Sequence, residues 1–266
     1  MLRCALLLIA LSAPAFADPA GFNCVMDPAQ RIRLAANGSG VLSELLVRRG
    51  DIVRAGQPVA RMDALLEEAT VRILEARAAS TAQIDAQETR AAFVGAQVER
   101  MRRLVQQNAQ SVVRLEEAEY EYAVARNQLS QARSDYATLL AELERARIAR
   151  DAKTIRAPID GQVSDISLGP GESTGGERQL MTIVRLDELH VEAFLPIELY
   201  ARVRRGMAVT VHPDAPVGGS YPAMITAVDS VFDTASRTFG VQVTLPNADA
   251  LLPGGHRCRL TIKLDG

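Results

Sequence analysis

Residues 115–146, LEEAEYEYAVARNQLSQARSDYATLLAELERA, decide the fold. Apolar or small side chains recur in this stretch at Leu115, Ala118, Tyr122, Ala125, Leu129, Ala132, Tyr136, Leu139, Leu143 and Ala146, alternating steps of three and four without a break. That spacing is a heptad seam, the mark of a helix packed along a narrow line against another. Upstream a second seam answers it through Leu66, Ala69, Ile73, Ala76, Ser80, Ile84, Gln87 and Ala91 to Val105, slipping once where 76, 80 and 84 follow each other by fours. Between the seams lies the polar run Gln106 to Ser111, in which Asn108 can accept a left-handed backbone and Ser111 can cap a helix. Leu65 to Ala149 therefore predicts two antiparallel helices folded into a coiled-coil hairpin. Each arm is about 60 Å long at the α-helical rise, too narrow for a pocket and well suited to reach. A generic dimerising coiled coil or helical bundle fits the hairpin alone equally well, and the flanks decide between them.

Upstream of the hairpin, residues 40–63 alternate short apolar runs with Gly50 and Gly56, which reads as strands and tight turns. Downstream, a similar stretch registers on it at a constant offset of 121: Gly40 on Gly161, Leu42 on Val163, Ser43 on Ser164, Gly50 on Gly171 and Val59 on Leu180. The hairpin is thus an insertion between two halves of one repeated β unit. Neither half can bury its apolar face alone, so the two must sandwich. From Leu189 onward a period of two returns at Leu189–Leu195, Val209–Val211, Tyr221–Val231, Phe239–Leu245 and Cys258–Leu264, with a short helix expected from Ile197 to Arg205. This is the content of a small β-barrel. The expected class is α+β and multidomain, divided as 1–17, 18–63, 64–153, 154–187 and 188–266.

The N-terminus carries Arg3, an apolar run from Cys4 to Ala17, and the ending Ala15-Phe16-Ala17 before Asp18-Pro19. That pattern predicts a signal peptide cleaved after Ala17, with an uncleaved anchor as the alternative, and places the mature chain outside the cytoplasm. Cys4 leaves with the signal. Cys24 and Cys258 are then the only thiols in an oxidising space, and one disulfide between them is the economical reading. Gly21-Phe22-Asn23 before Cys24 lacks the small residue that a lipoprotein signal places immediately before its cysteine.

Thirty basic residues against 32 acidic ones, net −2, supply no reservoir of positive charge, so nucleic acid is not an expected partner. The three histidines, His190, His212 and His256, have no metal-ligand spacing, and no nucleophile–base motif is present. Gly171 to Gly176 mimics the glycine spacing of a phosphate loop, but Glu177-Arg178 stands where Lys-Ser/Thr belongs, and a β-turn is the better reading. Neither an enzyme nor a cofactor is expected.

Taken in order, these features resemble the HlyD-like periplasmic adaptors, or membrane fusion proteins, of tripartite efflux and secretion systems. The resemblance covers the whole mature chain. It is carried by Gly50-Asp51-Ile52-Val53-Arg54-Ala55-Gly56-Gln57-Pro58-Val59-Ala60, by Ile155-Arg156-Ala157-Pro158-Ile159-Asp160-Gly161-Gln162-Val163, and in the barrel by Ser236-Arg237-Thr238-Phe239 and Leu252-Pro253-Gly254. It implies a lipoyl-like barrel-sandwich hybrid with an inserted hairpin, followed by the barrel. The hairpin would point to a TolC-like outer-membrane channel and the barrel to an inner-membrane transporter of RND or ABC type, with copies assembled in a ring of six. A carrier role, which the sandwich shares with lipoyl and biotinyl domains, is disfavoured because Lys153 and Lys263 are the only lysines and neither lies at a turn between the half-repeats. The family's channel-docking tip has an Arg, a Leu four residues on and a Ser seven further. Arg100, Leu104 and Ser111 match that spacing. Many adaptors of drug pumps add a membrane-proximal domain built from both chain ends, and only about 20 residues precede the first half-repeat here, which leaves the pump class open. An envelope coiled-coil scaffold without a transport partner is the alternative function.

Overall fold

A computed structural model describes residues 21–36, 38–175 and 178–263; the expected signal peptide, with Cys4, lies outside them. The elements run β1 (Phe22–Ala35), β2 (Leu42–Leu45), β3 (Ile52–Val53), β4 (Pro58–Met62), α1 (Leu65–Ala78), α2 (Ala82–Gln106), α3 (Val112–Asp151), β5 (Thr154–Arg156), β6 (Gly161–Ile166), β7 (Gln179–Pro196), β8 (Ala208–Pro213), β9 (Tyr221–Asp233), β10 (Thr238–Pro246) and β11 (His256–Ile262).

Two β units share their longest strands. One sheet runs β1-β11-β8-β9-β10-β7 and is closed by pairing of β1 with β7, giving a six-stranded antiparallel barrel. Its inward residues, among them Met26, Leu189, Leu195, Phe239 and Leu260, form one core. The sheet continues from β7 to β6 and β3, and this part faces a second sheet, β2-β4-β5, across a separate core that includes Leu42, Val53, Val59, Val163 and Ile183. The internal repeat is visible in the backbone. Gly50 and Gly171, which register on each other, both take positive φ, 96° and 87°, a conformation that favours glycine.

β1 is a barrel strand and a sandwich strand at once: Cys24 to Pro28 pair with Ala193 to Leu189, and Gln30 to Ala35 pair with Arg185 to Gln179. The sequence marked this stretch only as an N-terminal segment, because Val25 puts a third apolar residue between Cys24 and Met26 and Pro28 interrupts the run, leaving only the short alternation Arg31-Ile32-Arg33-Leu34. The expected helix from Ile197 shrinks to a single 3-10 turn, Ile197–Leu199, followed by turns that end at Gly206 with φ 89°.

The hairpin leaves between β4 and β5, which pair with each other. Its second arm agrees with the heptad reading: every seam residue from Leu115 to Ala146 is buried or half-buried. The first arm is broken at Ala79-Ser80-Thr81, where the seam slips. Beyond the break Ile84, Gln87, Ala91, Val94 and Val98 face inward as expected. Before it only Ala69 of the expected positions is half-buried. Val71, Leu74 and Ala78 turn inward, while Leu66 and Ile73 are exposed, because α1 has apolar residues on two faces and the heptad reading took the other one. Tyr136 Oη donates to the Ala78 carbonyl at 3.0 Å, satisfying a helix-end group at the break. Gly95 lies against the ring of Tyr122, where any Cβ would come within 2.9 Å of it.

At the base, Lys153 Nζ lies 3.0 Å from Glu67 Oε1 and joins the start of α1 to the end of α3. The hydrogen bond from Lys153 holds the Glu67 carboxyl below the usual carboxylate range. A carboxyl with a lowered folded-state pKa stabilises above its unfolded pKa, and that contribution is lost as pH falls through the folded value. An NMR titration is expected to show Glu67 titrating below a free glutamate, and Lys153→Gln is expected to return it toward the free range.

Candidate docking site at the hairpin tip

The tip is built by two helix ends. α2 closes with the Ala109 amide donating to the Leu104 carbonyl at 2.8 Å and the Asn108 amide to the Val105 carbonyl at 3.0 Å. Asn108 carries φ 54°. This pair of bonds around a left-handed residue is a Schellman motif with Asn in the place glycine usually holds. α3 opens with Ser111 as N-cap, its extended backbone letting Oγ accept from the Val113 amide at 3.3 Å. Asn108→Val is expected to weaken the tip by about 1–2 kcal/mol, because a β-branched side chain resists the left-handed region. Asn108→Gly is expected to leave it intact; amide hydrogen exchange at residues 105–113 distinguishes the two.

Arg100 lies exposed near the end of α2 and has no hydrogen-bond or ion-pair partner among the described residues. Its neighbour Arg102 does, bridging the arms to Glu119 at 2.8 Å. Leu104 is 39% exposed although its carbonyl is fixed in the turn. Ser111 is occupied structurally as a cap. The chain therefore brings Arg100, Leu104 and Ser111 to one end of the hairpin, with one of the three already committed to folding. Val112 and Val113, 57% and 60% exposed on the first turn of α3, add apolar surface that the Arg–Leu–Ser spacing did not include. Their signal was present in the sequence as two β-branched residues immediately after a cap and out of phase with the seam.

At the opposite end of the molecule Cys24 and Cys258 are joined in a disulfide between directly paired residues of β1 and β11, buried in the barrel. Val231 and Phe232 are exposed near the β9–β10 turn, at the barrel end remote from the sandwich, since Thr238 pairs with Pro196, the last residue of β7. Lys153 is taken up by Glu67 at the hairpin base. Among the described residues no group of three or more His, Cys, Asp and Glu side chains converges, and no helix is long and apolar enough to cross a membrane.

Residues 189–265 match the family described as CusB-like, beta-barrel domain. The nodulation protein NolF of Rhizobium meliloti is 27% identical over 230 residues, 86% of this chain and 59% of that protein. The crystal structure of MacA from Actinobacillus actinomycetemcomitans superposes with a TM-score of 0.80 at 20% identity, covering 92% of this chain and 78% of that one. The membrane fusion protein Spr0693 of Streptococcus pneumoniae R6 gives 0.65 at 15% identity, over 93% and 100%. The chain spans between a third and three fifths of the length of the curated relatives it matches.

A hairpin inserted in a sandwich and followed by a closed barrel is the fold this chain shares with those structures, and its barrel region is similar to the CusB-like barrels.

Proposed function

We propose that the chain is the adaptor subunit that couples an inner-membrane transporter, of RND or ABC type, to a TolC-like outer-membrane channel for efflux or secretion. It works in the periplasm after cleavage behind Ala17, as a ring of six copies. The observation that carries this reading is the tip: exposed Leu104, Val112 and Val113 are held by two fixed helix ends, about 60 Å from the β units by the helical rise of the 40-residue α3. A short apolar end-face is weak alone and gains strength when repeated around a ring. The exposed Leu66 and Ile73 stripe on α1 supports lateral packing of neighbouring hairpins. At the far end Val231 and Phe232 offer an apolar rim for the transporter. The division 18–63, 64–153, 154–187 and 188–266 belongs to this reading, amended so that β1 serves both β units.

Leu104→Asp is expected to abolish crosslinking to the channel and to abolish export, while secretion, folding and transporter association remain. Arg100→Ala is expected to weaken both. Ser111 needs two substitutions: Ser111→Ala removes a cap worth about 1 kcal/mol, whereas Ser111→Asp keeps the cap and alters only the presented group. Near-normal export in the Leu104 and Arg100 variants at parental expression would remove the docking assignment. Crosslinking that recovers neither transporter nor channel would favour an envelope scaffold instead.

A further inference from the structure

A groove of about 780 Å³ runs along the outer face of the β1–β7–β6 sheet, away from the hairpin and the barrel rim. Strand register builds its floor. Arg31 lies opposite Val184 and Arg33 opposite Thr182 across β1 and β7, and Gln162 lies opposite Val184 across β6 and β7, so these side chains share one face. Arg49 and Gly50 in the turn before β3 form one wall. The loop at residues 250–254 forms the other, with Leu251 80% exposed.

Three arginines thus line one groove. Among the described residues Arg31, Arg33 and Arg49 have no hydrogen-bond or ion-pair partner, and no Asp or Glu lines the groove. Arg61, Arg102, Arg147 and Arg185, by contrast, each hold a carboxylate. Like charges gathered on one sheet face repel, and an anion in the groove relieves them.

We propose that this groove binds a phosphate-bearing ligand. Arginine is always charged and presents forked donors that match oxyanions. A single carboxylate occupies one such fork. A phosphate carries up to two charges and several acceptor oxygens, and engages two or three. The floor is set in advance: Gln179 Nε2 donates to Thr182 Oγ1 at 2.6 Å, Ser164 Oγ to the Thr182 carbonyl at 3.3 Å and Gln162 Nε2 to the Gly50 carbonyl at 2.9 Å. Little ordering is then required on binding. Leu251 and Pro253 on the loop wall give a carbon-rich portion of the same ligand an apolar surface. The phosphate is supplied either by a soluble phosphorylated compound or by a lipid headgroup. The site needs neither the transporter nor the channel and stands apart from the docking function.

Two probes separate the sources, both applied to the full chain: inorganic pyrophosphate by titration calorimetry, and phosphatidylglycerol-containing phosphatidylcholine vesicles by flotation. Arg33→Gln and Arg49→Gln are each expected to weaken binding about tenfold, the loss of one charge-assisted contact. Arg31→Gln/Arg33→Gln/Arg49→Gln is expected to abolish it, with the circular dichroism spectrum unchanged. Arg72→Gln, on the outside of α1, is expected to bind as the parent does. Binding that weakens with salt supports the proposal, to pyrophosphate for the soluble source and to phosphatidylglycerol vesicles alone for the headgroup. Failure of both probes, or binding that survives the triple substitution, overturns it.

Discussion

A Cys24→Ala/Cys258→Ala variant is expected to be less stable than the parent by about 5 kcal/mol, the chain-entropy estimate for a bond whose ends lie 234 residues apart. The unfolded chain gains most when so long a loop is opened. The folded barrel loses little else, because both cysteines are buried among apolar residues and alanine leaves no unpaired polar group, unlike serine. The effect should centre on β1, which pairs with β11 through Phe22 to Met26 and has β7 on its other edge. Urea unfolding of parent and variant, with the parent also measured under reductant, reads the difference directly. Coincident curves would mean that the β1 and β11 ladder keeps its register without the bond and that the sulfurs contribute no more than packing.

Val98→Asp is expected to unzip the middle of the hairpin. Val98 is 2% exposed in the α2–α3 seam, in which Ala125, at 1%, is also buried. The seam is narrow, and a carboxylate there finds no partner, which costs several kcal/mol. Freed from each other the arms are polar helices of marginal stability in water. The ion pairs that link the arms, such as Arg147–Glu75 and Arg102–Glu119, are solvent-exposed and each worth less than about 1 kcal/mol, so they cannot hold the hairpin closed. The barrel and sandwich keep cores that contain no hairpin residue. Circular dichroism should therefore lose helical signal while the β units still unfold cooperatively. A single global loss of structure would show that the β units depend on the hairpin.

The helical arms and the tip were the most legible parts of the sequence, for reasons of period. Ten seam positions in α3 leave a helix little choice of face. The tip could be read because Asn108 and Ser111 each have a backbone role independent of distant contacts. α1 was misread because Leu66 and Ile73 are as apolar as Val71 and Leu74, so hydrophobicity alone does not choose between its faces; the packing against α3 does. β1 was hidden for a related reason. Its outward residues include Arg31 and Arg33, and its pairing partners lie more than 140 positions away in β7, beyond the reach of any local pattern. The candidate docking residues came from the family resemblance, and its Arg–Leu–Ser spacing did not include Val112 and Val113, which are also exposed at the tip.

The two strands shared by the β units set how the molecule can bend. β1 and β7 each run as one strand from the barrel into the sandwich and pair with one another on both sides of a register shift between Pro28 and Gln30. No linker separates the units, so neither can swing on its own; a twist imposed at the barrel rim is carried through the ladder as torsion. The helical end is different: there the three residues at Ala79-Ser80-Thr81 interrupt one arm and leave the other continuous. The molecule is stiff at its base and jointed on one side of its shaft, and a sideways load on the tip would deflect it toward a preferred side.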